Sequence, residues 1–482
     1  MRNKLQKFND FTNSLLPHET EYLLTTQQFE DEKRLEILKE IDHNCRNIFQ
    51  FTPYDEKIDK RKFSNLKTWI TERLSSIDVD AHFEWMSQLE RKIMTDSILP
   101  EEEKQLLRTI RQYEHPSFYF VKFFELVQHY RHFLLIRLRY VDHELADQFI
   151  KKYDTAYQHC RSINDKLHQA TLDIVNQYAS DSSESIQWDR WLSEVFFDEQ
   201  LDGHNRYLAL VRLIFIGFNY RNFEPLLEKF DYLDRLFREG RYYSKRLLLN
   251  YYSNRLLLHS KFQEFDKAAY YGYLSIRSKN HDYLFYATNL AAVLLRQDKK
   301  EEALRIMREA YPEMKVTQNF HNKVGFVAFF IKCLNKNERY KNAENYASSF
   351  LRAYKKEIFE YRWHIFFTAY LETLMAMKDY KKMIRLIRQN RLLELEKKYK
   401  RRANYLPTLL WYNAVAEYKE LMLDEEGLYQ LLSEHINTLR QHPDRAPQVT
   451  DLLQELKEHI PRVVNRLLDH YSRKEKLLSS FM

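Results

Sequence analysis

The side chains whose types and spacing best suit chemistry are basic. Lys378, Lys381, Lys382, Arg385 and Arg388 recur at helical spacing. One helix would carry them as a stripe, with Met383, Leu386 and Ile387 largely on the opposite side. Lys397, Lys398, Lys400, Arg401 and Arg402 extend the charge around Tyr399. Such a row neutralises successive phosphates, and an interleaved tyrosine ring stacks on a base. Residues 330–410 hold 19 basic against 8 acidic side chains, a net of +11, whereas the whole chain is +7. Residues 1–190 run the other way, with 27 basic and 32 acidic. The basic stretch predicts contact with an acidic protein, nucleic acid or an anionic membrane surface, unless it is simply a solvated face.

Other constellations are weaker. Glu40-x-x-His43 is a single helical carboxylate–histidine pair, whereas a di-iron bundle needs two such motifs and two further glutamates. His129-x-x-His132 lacks the glutamate of a zinc-protease helix. His159 and Cys160 are adjacent on a helix and point about 100° apart, so they cannot act as base and nucleophile. Asp78-Val79-Asp80 reads as a helix start. No metal site, cofactor or catalytic residue is expected.

Composition excludes whole classes of chemistry. The 482 residues include six glycines, Gly203, Gly217, Gly240, Gly272, Gly325 and Gly427, no two within ten residues. Dinucleotide fingerprints, P-loops, kinase phosphate loops and nucleophile elbows each need closely spaced glycines. The three cysteines are scattered, with no Cys-x-x-Cys pair, which fits a reducing compartment. The first residues are basic but lack an apolar signal core, and the longest apolar run, residues 208–218, contains Arg212 and is too short to span a bilayer. The reading is a cytoplasmic protein.

The elements that must position these side chains are helices. The 3.6-residue period runs through nearly every segment, and the ten prolines fall mostly where helices begin or end. Phe120, Phe124, Val127, Leu134, Leu138 and Val141 form one seam, and Ala156, Cys160, Ile163, Leu167, Ala170 and Ile174 form another. Both require a helical neighbour, most simply in an internal hairpin. The polar run from Ser180 to Ser185 suggests a domain boundary. Beyond it, helix pairs recur. Anchors at Leu226, Ala268, Ala303, Ala343 and Met383 are 42, 35, 40 and 40 residues apart, with a further unit near Gly427. Two-helix repeats of this length indicate an α-solenoid.

Over residues 205–435 the chain resembles the tetratricopeptide repeat (TPR) family. Ala287, Leu290, Ala291 and Leu294 match its first helix, and Ala303, Met307 and Ala310 its second. Tyr252, Asn254, Phe265 and Ala268 repeat the match, and Trp411-Tyr412-Asn413 resembles a first-helix start. The array is degenerate: Leu256, Ile331 and Leu371 replace the small residue at the helix crossing, and Pro312 comes three residues early. The resemblance implies a concave groove holding a peptide or partner helix, with Asn254, Asn289 and Asn413 bonding the ligand's backbone. Other units carry Arg212, Phe329 and Ala369 at that point.

The resulting expectation is an all-α chain. An N-terminal helical domain with long helices (1–180) precedes a TPR-like superhelix (186–440) and C-terminal capping helices (441–482). The expected function is a non-catalytic interaction scaffold binding a peptide or protein partner. The alternative is a nucleic-acid-binding helical-repeat protein using residues 378–402.

Overall fold

The computed structural model describes residues 5–179, 183–399, 405–439 and 446–479. Among them there are 25 α-helices and no strand. The chain divides into two compact units, Met1–Asn280 and His281–Met482. The first contains α1 (Gln6–Thr12), α2 (Pro17–Thr26), α3 (Glu32–Arg46), α4 (Lys60–Ile77), α5 (Val79–Met94), α6 (Pro100–Arg111), α7 (Phe120–Ile136), α8 (Tyr140–Ala179), α9 (Trp188–Phe197), α10 (Gly203–Tyr220), α11 (Glu224–Arg238), α12 (Lys245–Lys261) and α13 (Phe265–Ser275). The second contains α14 (Tyr283–Arg296), α15 (Lys300–Val316), α16 (Phe320–Lys336), α17 (Tyr340–Ala353), α18 (Lys355–Tyr361), α19 (Trp363–Ala376), α20 (Tyr380–Gln389), α21 (Leu392–Tyr399), α22 (Thr408–Lys419), α23 (Glu425–Leu439), α24 (Ala446–Lys457) and α25 (Pro461–Ser479).

The helix pairs follow the anchors. Leu226, Ala268, Ala303, Ala343 and Met383 lie in the first turns of α11, α13, α15, α17 and α20, and all five are buried. Each pair turns on a left-handed residue that is not glycine: Arg221, Gln263, Asp298, Glu338, Lys378 and Leu421, with φ between 54° and 61°. The first five precede their anchors by the same five residues. The turn also repeats its hydrogen bonds. Glu264, Lys299, Arg339, Asp379 and Met422 donate backbone N–H to the carbonyls of His259, Leu294, Leu334, Leu374 and Glu417, at 2.8–3.0 Å. This bond, from the residue after the left-handed one back to the last helical turn, satisfies a carbonyl that the helix end would orphan. The same turn closes helices at Asp96, Leu138 and Gly240; what is compatible with a helical repeat is its constant distance of five residues from each buried anchor, although the sequence carries no recurring glycine there.

A side chain in the left-handed region crowds its own backbone by roughly 1–2 kcal/mol. Leu421 is 92% exposed, so it recovers nothing through packing. We predict that Leu421→Gly raises the stability of the second unit by about 0.5 kcal/mol, after the entropy that glycine adds to the unfolded chain. Urea unfolding measures it, and a clear loss of stability would show that the leucine does more than turn the chain.

Within the second unit the first helices stack in order, α14 on α16, α16 on α19 and α19 on α22, and each packs on its own second helix. Two short helices interrupt the scheme: α18 follows α17, and α21 follows α20. Helices α23, α24 and α25 pack together at the end of the array.

Within the first unit, α8 runs unbroken through 40 residues and packs on α7 and α10. Its seam is buried at Cys160, Leu167, Ala170 and Ile174. The α7 seam ends at Leu134, because Leu138 takes the left-handed turn (φ 56°) and both it and Val141 are exposed. The run from Ser180 to Ser185 lies partly outside the described residues, and the helices on either side of it belong to one compact unit. Gly203 opens α10 where the chain at Phe118 passes close by, and a Cβ there would stand 2.5 Å from the Phe118 ring.

Candidate functional site

The first-helix face of the second unit gathers polar side chains from several elements. Lys332 and Lys336 stand one turn apart on α16, both exposed. Across from them, Lys336 Nζ is 4.0 Å from Glu372 on α19. Tyr412 on α22 donates its hydroxyl to Glu455 on α24. Phe285 on α14 and Ile365 on α19 are 40% and 47% exposed, large apolar side chains on helices whose other faces are core. Exposed cations on α16 and exposed apolar side chains on α14 and α19 suit a peptide better than a small apolar ligand.

Burial lifts the Glu372 carboxyl from 4.5 to about 6, and Glu455 adds to the rise while Lys332 and Lys336 oppose it. Through that window the folded chain holds a proton that the unfolded chain has released, so stability falls as pH rises. The expected loss is about 2 kcal/mol between pH ~4 and ~7.5. Glu372→Gln keeps the shape and cannot titrate, so its unfolding free energy should lose that much of its pH dependence. Identical pH slopes in the two proteins would reject the assignment.

The sequence-expected asparagines differ in their surroundings. Asn254 donates to Asn250 Oδ1 at 2.9 Å, and the same oxygen accepts the Tyr207 hydroxyl at 2.8 Å. Asn289 is half-buried on α14. Asn413 is 5% exposed, on a helix buried along most of its length. Arg212, at the same repeat position, donates to the Leu167 carbonyl and Thr171 Oγ1 on α8. At Arg212 and Asn254 the position is therefore occupied by contacts within the chain.

Lys381, Lys382, Arg385 and Arg388 form one face of α20, with Met383, Ile384 and Ile387 buried opposite, whereas Lys378 falls outside the helix because it takes the left-handed turn (φ 58°) before α20 begins. Several of its charges are already matched. Lys382 Nζ is 2.5 Å from Glu344, Arg388 is 3.5 Å from Glu417 and Lys381 is 3.9 Å from Glu420. Lys378 and Arg385 have no carboxylate partner among the described residues. Lys397 and Lys398 are exposed on α21, whereas Lys400, Arg401 and Arg402 lie outside the described residues. The stripe thus ties α20 to α17 and α22 as much as it faces solvent.

The first unit holds an unexpected buried ionic cluster. Glu19 on α2 is fully enclosed, receives Lys245 Nζ at 3.0 Å on both oxygens, and accepts the Tyr243 hydroxyl at 2.6 Å. Beside it His18 contacts Tyr252 at 2.6 Å and Asp234 at 2.8 Å. The His18 ring and the Arg238 guanidinium hold the Asp234 carboxyl well below the usual carboxylate range despite its burial. Every partner is a residue of the chain, so the cluster fastens α2 to α11 and α12.

Among the described residues no group of three or more His, Cys, Asp or Glu is placed to hold a metal ion. Asp78 caps α5 by accepting from Asp80 and Ala81, as a helix start does. Burial pushes the Cys45, Cys160 and Cys333 thiols up to about 11, 12 and 12. At neutral pH they remain protonated and are poor nucleophiles. No described helix is long and apolar enough to cross a membrane.

The sequence reading passed over Lys332, Lys336 and Glu372. Glu372 left a signal, as the one Asp, Glu, Lys or Arg in residues 363–377. The lysines left only an i, i+4 pair. Comparison of the chain with known protein families, curated proteins and solved structures finds no match in any of the three.

Proposed function

We propose that this chain is a non-catalytic interaction protein, with a TPR-like array whose stacked first helices α14, α16 and α19 receive a peptide or protein partner. The observation that carries the reading is the ordered stacking of first helices, each turning into its second helix five residues before a buried anchor. It presents equivalent helix faces at regular intervals, and such arrays offer extended surfaces rather than enclosed pockets. The mixed face of Phe285, Lys332, Lys336 and Ile365 supports it, as does the protonated state of all three thiols. The nucleic-acid alternative has less support, because three of the five stripe cations are held by Glu344, Glu417 and Glu420.

The test recovers the tagged chain from its host at moderate salt, with and without nuclease, beside a Phe285→Asp, Lys332→Glu, Lys336→Glu variant. The expected result is a stoichiometric protein that survives nuclease and is lost from the variant. A nuclease-sensitive excess absorbance at 260 nm, unchanged in the variant, would overturn the reading in favour of nucleic acid.

A further inference from the structure

The two short helices that break the repeat, α18 and α21, meet the end of α20 around a cleft of about 450 Å³. Its cations are Lys355, Arg391 and Lys398, and its one carboxylate is Glu394. None of the three cations lies within ion-pair distance of a carboxylate among the described residues. Lys398 stands one turn from Glu394 and does not pair with it. In the neighbouring stripe Lys381, Lys382 and Arg388 each have a glutamate, whereas here all three cations of one cleft are unmatched. What singles out these three is that they converge unmatched on one cleft.

We propose that this cleft docks a phosphorylated side chain of a protein partner. This rests on the interaction reading above and names a chemistry for one part of the contact. Three positive charges against one negative leave a net of +2. A phosphoryl group carries about −1.5 to −2 near neutral pH, whereas an aspartate or glutamate carries one charge. Arg391 offers a planar fork that binds two phosphoryl oxygens at once, and the lysines add point charges. The volume suits one modified side chain and its neighbours rather than a helix. Half-buried Phe359 and Leu395 supply an apolar wall for an adjacent side chain. Asn390 Oδ1, also lining the cleft, has no hydrogen-bond donor among the described residues. A buried acceptor left without a donor is costly, and a turn of the amide would offer it to a peptide N–H.

The experiment uses the full chain and fluorescence anisotropy. The probes are a peptide pool with a central phosphoserine and randomised flanks, the same pool with serine, the same pool with glutamate, and a single-stranded RNA. The variants are Lys355→Ala, Arg391→Ala, Lys398→Ala combined, and a control that removes three exposed charges elsewhere, Lys33→Ala, Arg190→Ala, Lys267→Ala. The phosphoserine pool should bind at least about tenfold tighter than either other pool, and the cleft variant alone should lose that difference. Equal binding of phosphoserine and glutamate pools overturns the proposal, as does stronger binding of RNA, or an equal loss in the control. Circular dichroism of the cleft variant confirms that exposed alanines leave the helices intact. If phosphoserine selectivity is absent while the protein lost from the Phe285 variant is still retained, the cleft proposal falls and the interaction reading stands.

Discussion

Glu19→Ala lowers the stability of the Met1–Asn280 unit by about 4 kcal/mol, because one change strips three donors of their acceptor. Lys245 loses its one carboxylate partner among the described residues, Tyr243 its hydroxyl acceptor and Leu16 the side chain that accepts its N–H at 2.7 Å. Lys245 keeps only the Ser14 carbonyl, at 2.6 Å. An ammonium left beside a buried cavity is costlier than the same pair replaced by apolar groups. In a unit of this size the melting temperature should fall by about 10 °C. Glu19→Gln separates charge from hydrogen bonding. It keeps an oxygen for Tyr243 or Leu16 and should lose roughly half as much. Differential scanning calorimetry reads both, and a Glu19→Ala protein melting within a degree or two of the parent would mean that the cluster contributes nothing.

The second large effect belongs to the other unit. Trp411 is fully buried on α22, among the largest enclosed side chains of the chain. Trp411→Ala removes that burial and leaves a cavity, which together cost about 4 kcal/mol. Hydrogen exchange should lose protection in α19, α20, α22 and α23, because α22 packs on α19, α20 and α23. The α10–α13 segment belongs to the first unit and should keep its protection. Unchanged exchange in α19 would show that the array does not pass stability from one helix pair to the next, as nearest-neighbour coupling in stacked repeats requires.

Much of the fold was legible in sequence. Apolar positions at helical spacing fixed helix type, since this period gives a strand no continuous face. The anchors located second helices correctly, because a buried residue must sit where the pair closes. The hairpin turns were not legible. Left-handed turns signal through glycine, and residues as different as Gln263, Asp298 and Leu421 fill them here. Nor were α18, which fits inside an unchanged 40-residue spacing, and α21, which falls in the 44-residue step from Met383 to Gly427. The basic stripe was legible as a stripe, but its partners were not. Glu344 is 38 residues from Lys382, and Glu417 is 29 from Arg388.

Sequence alone determined what depends on near neighbours along the chain: an all-helical structure, its repeating pairs, the faces that must be buried, and the lack of glycine-dependent phosphate loops. Tertiary structure alone decided which charges are satisfied. Asn254 and Arg212 are engaged, Lys382 and Arg388 are paired, and Lys355, Arg391 and Lys398 are left without carboxylate partners among the described residues. The physical reason is range. Helix periodicity is set within a few residues, whereas the fate of a charge depends on which distant carboxylate folding brings within about 4 Å.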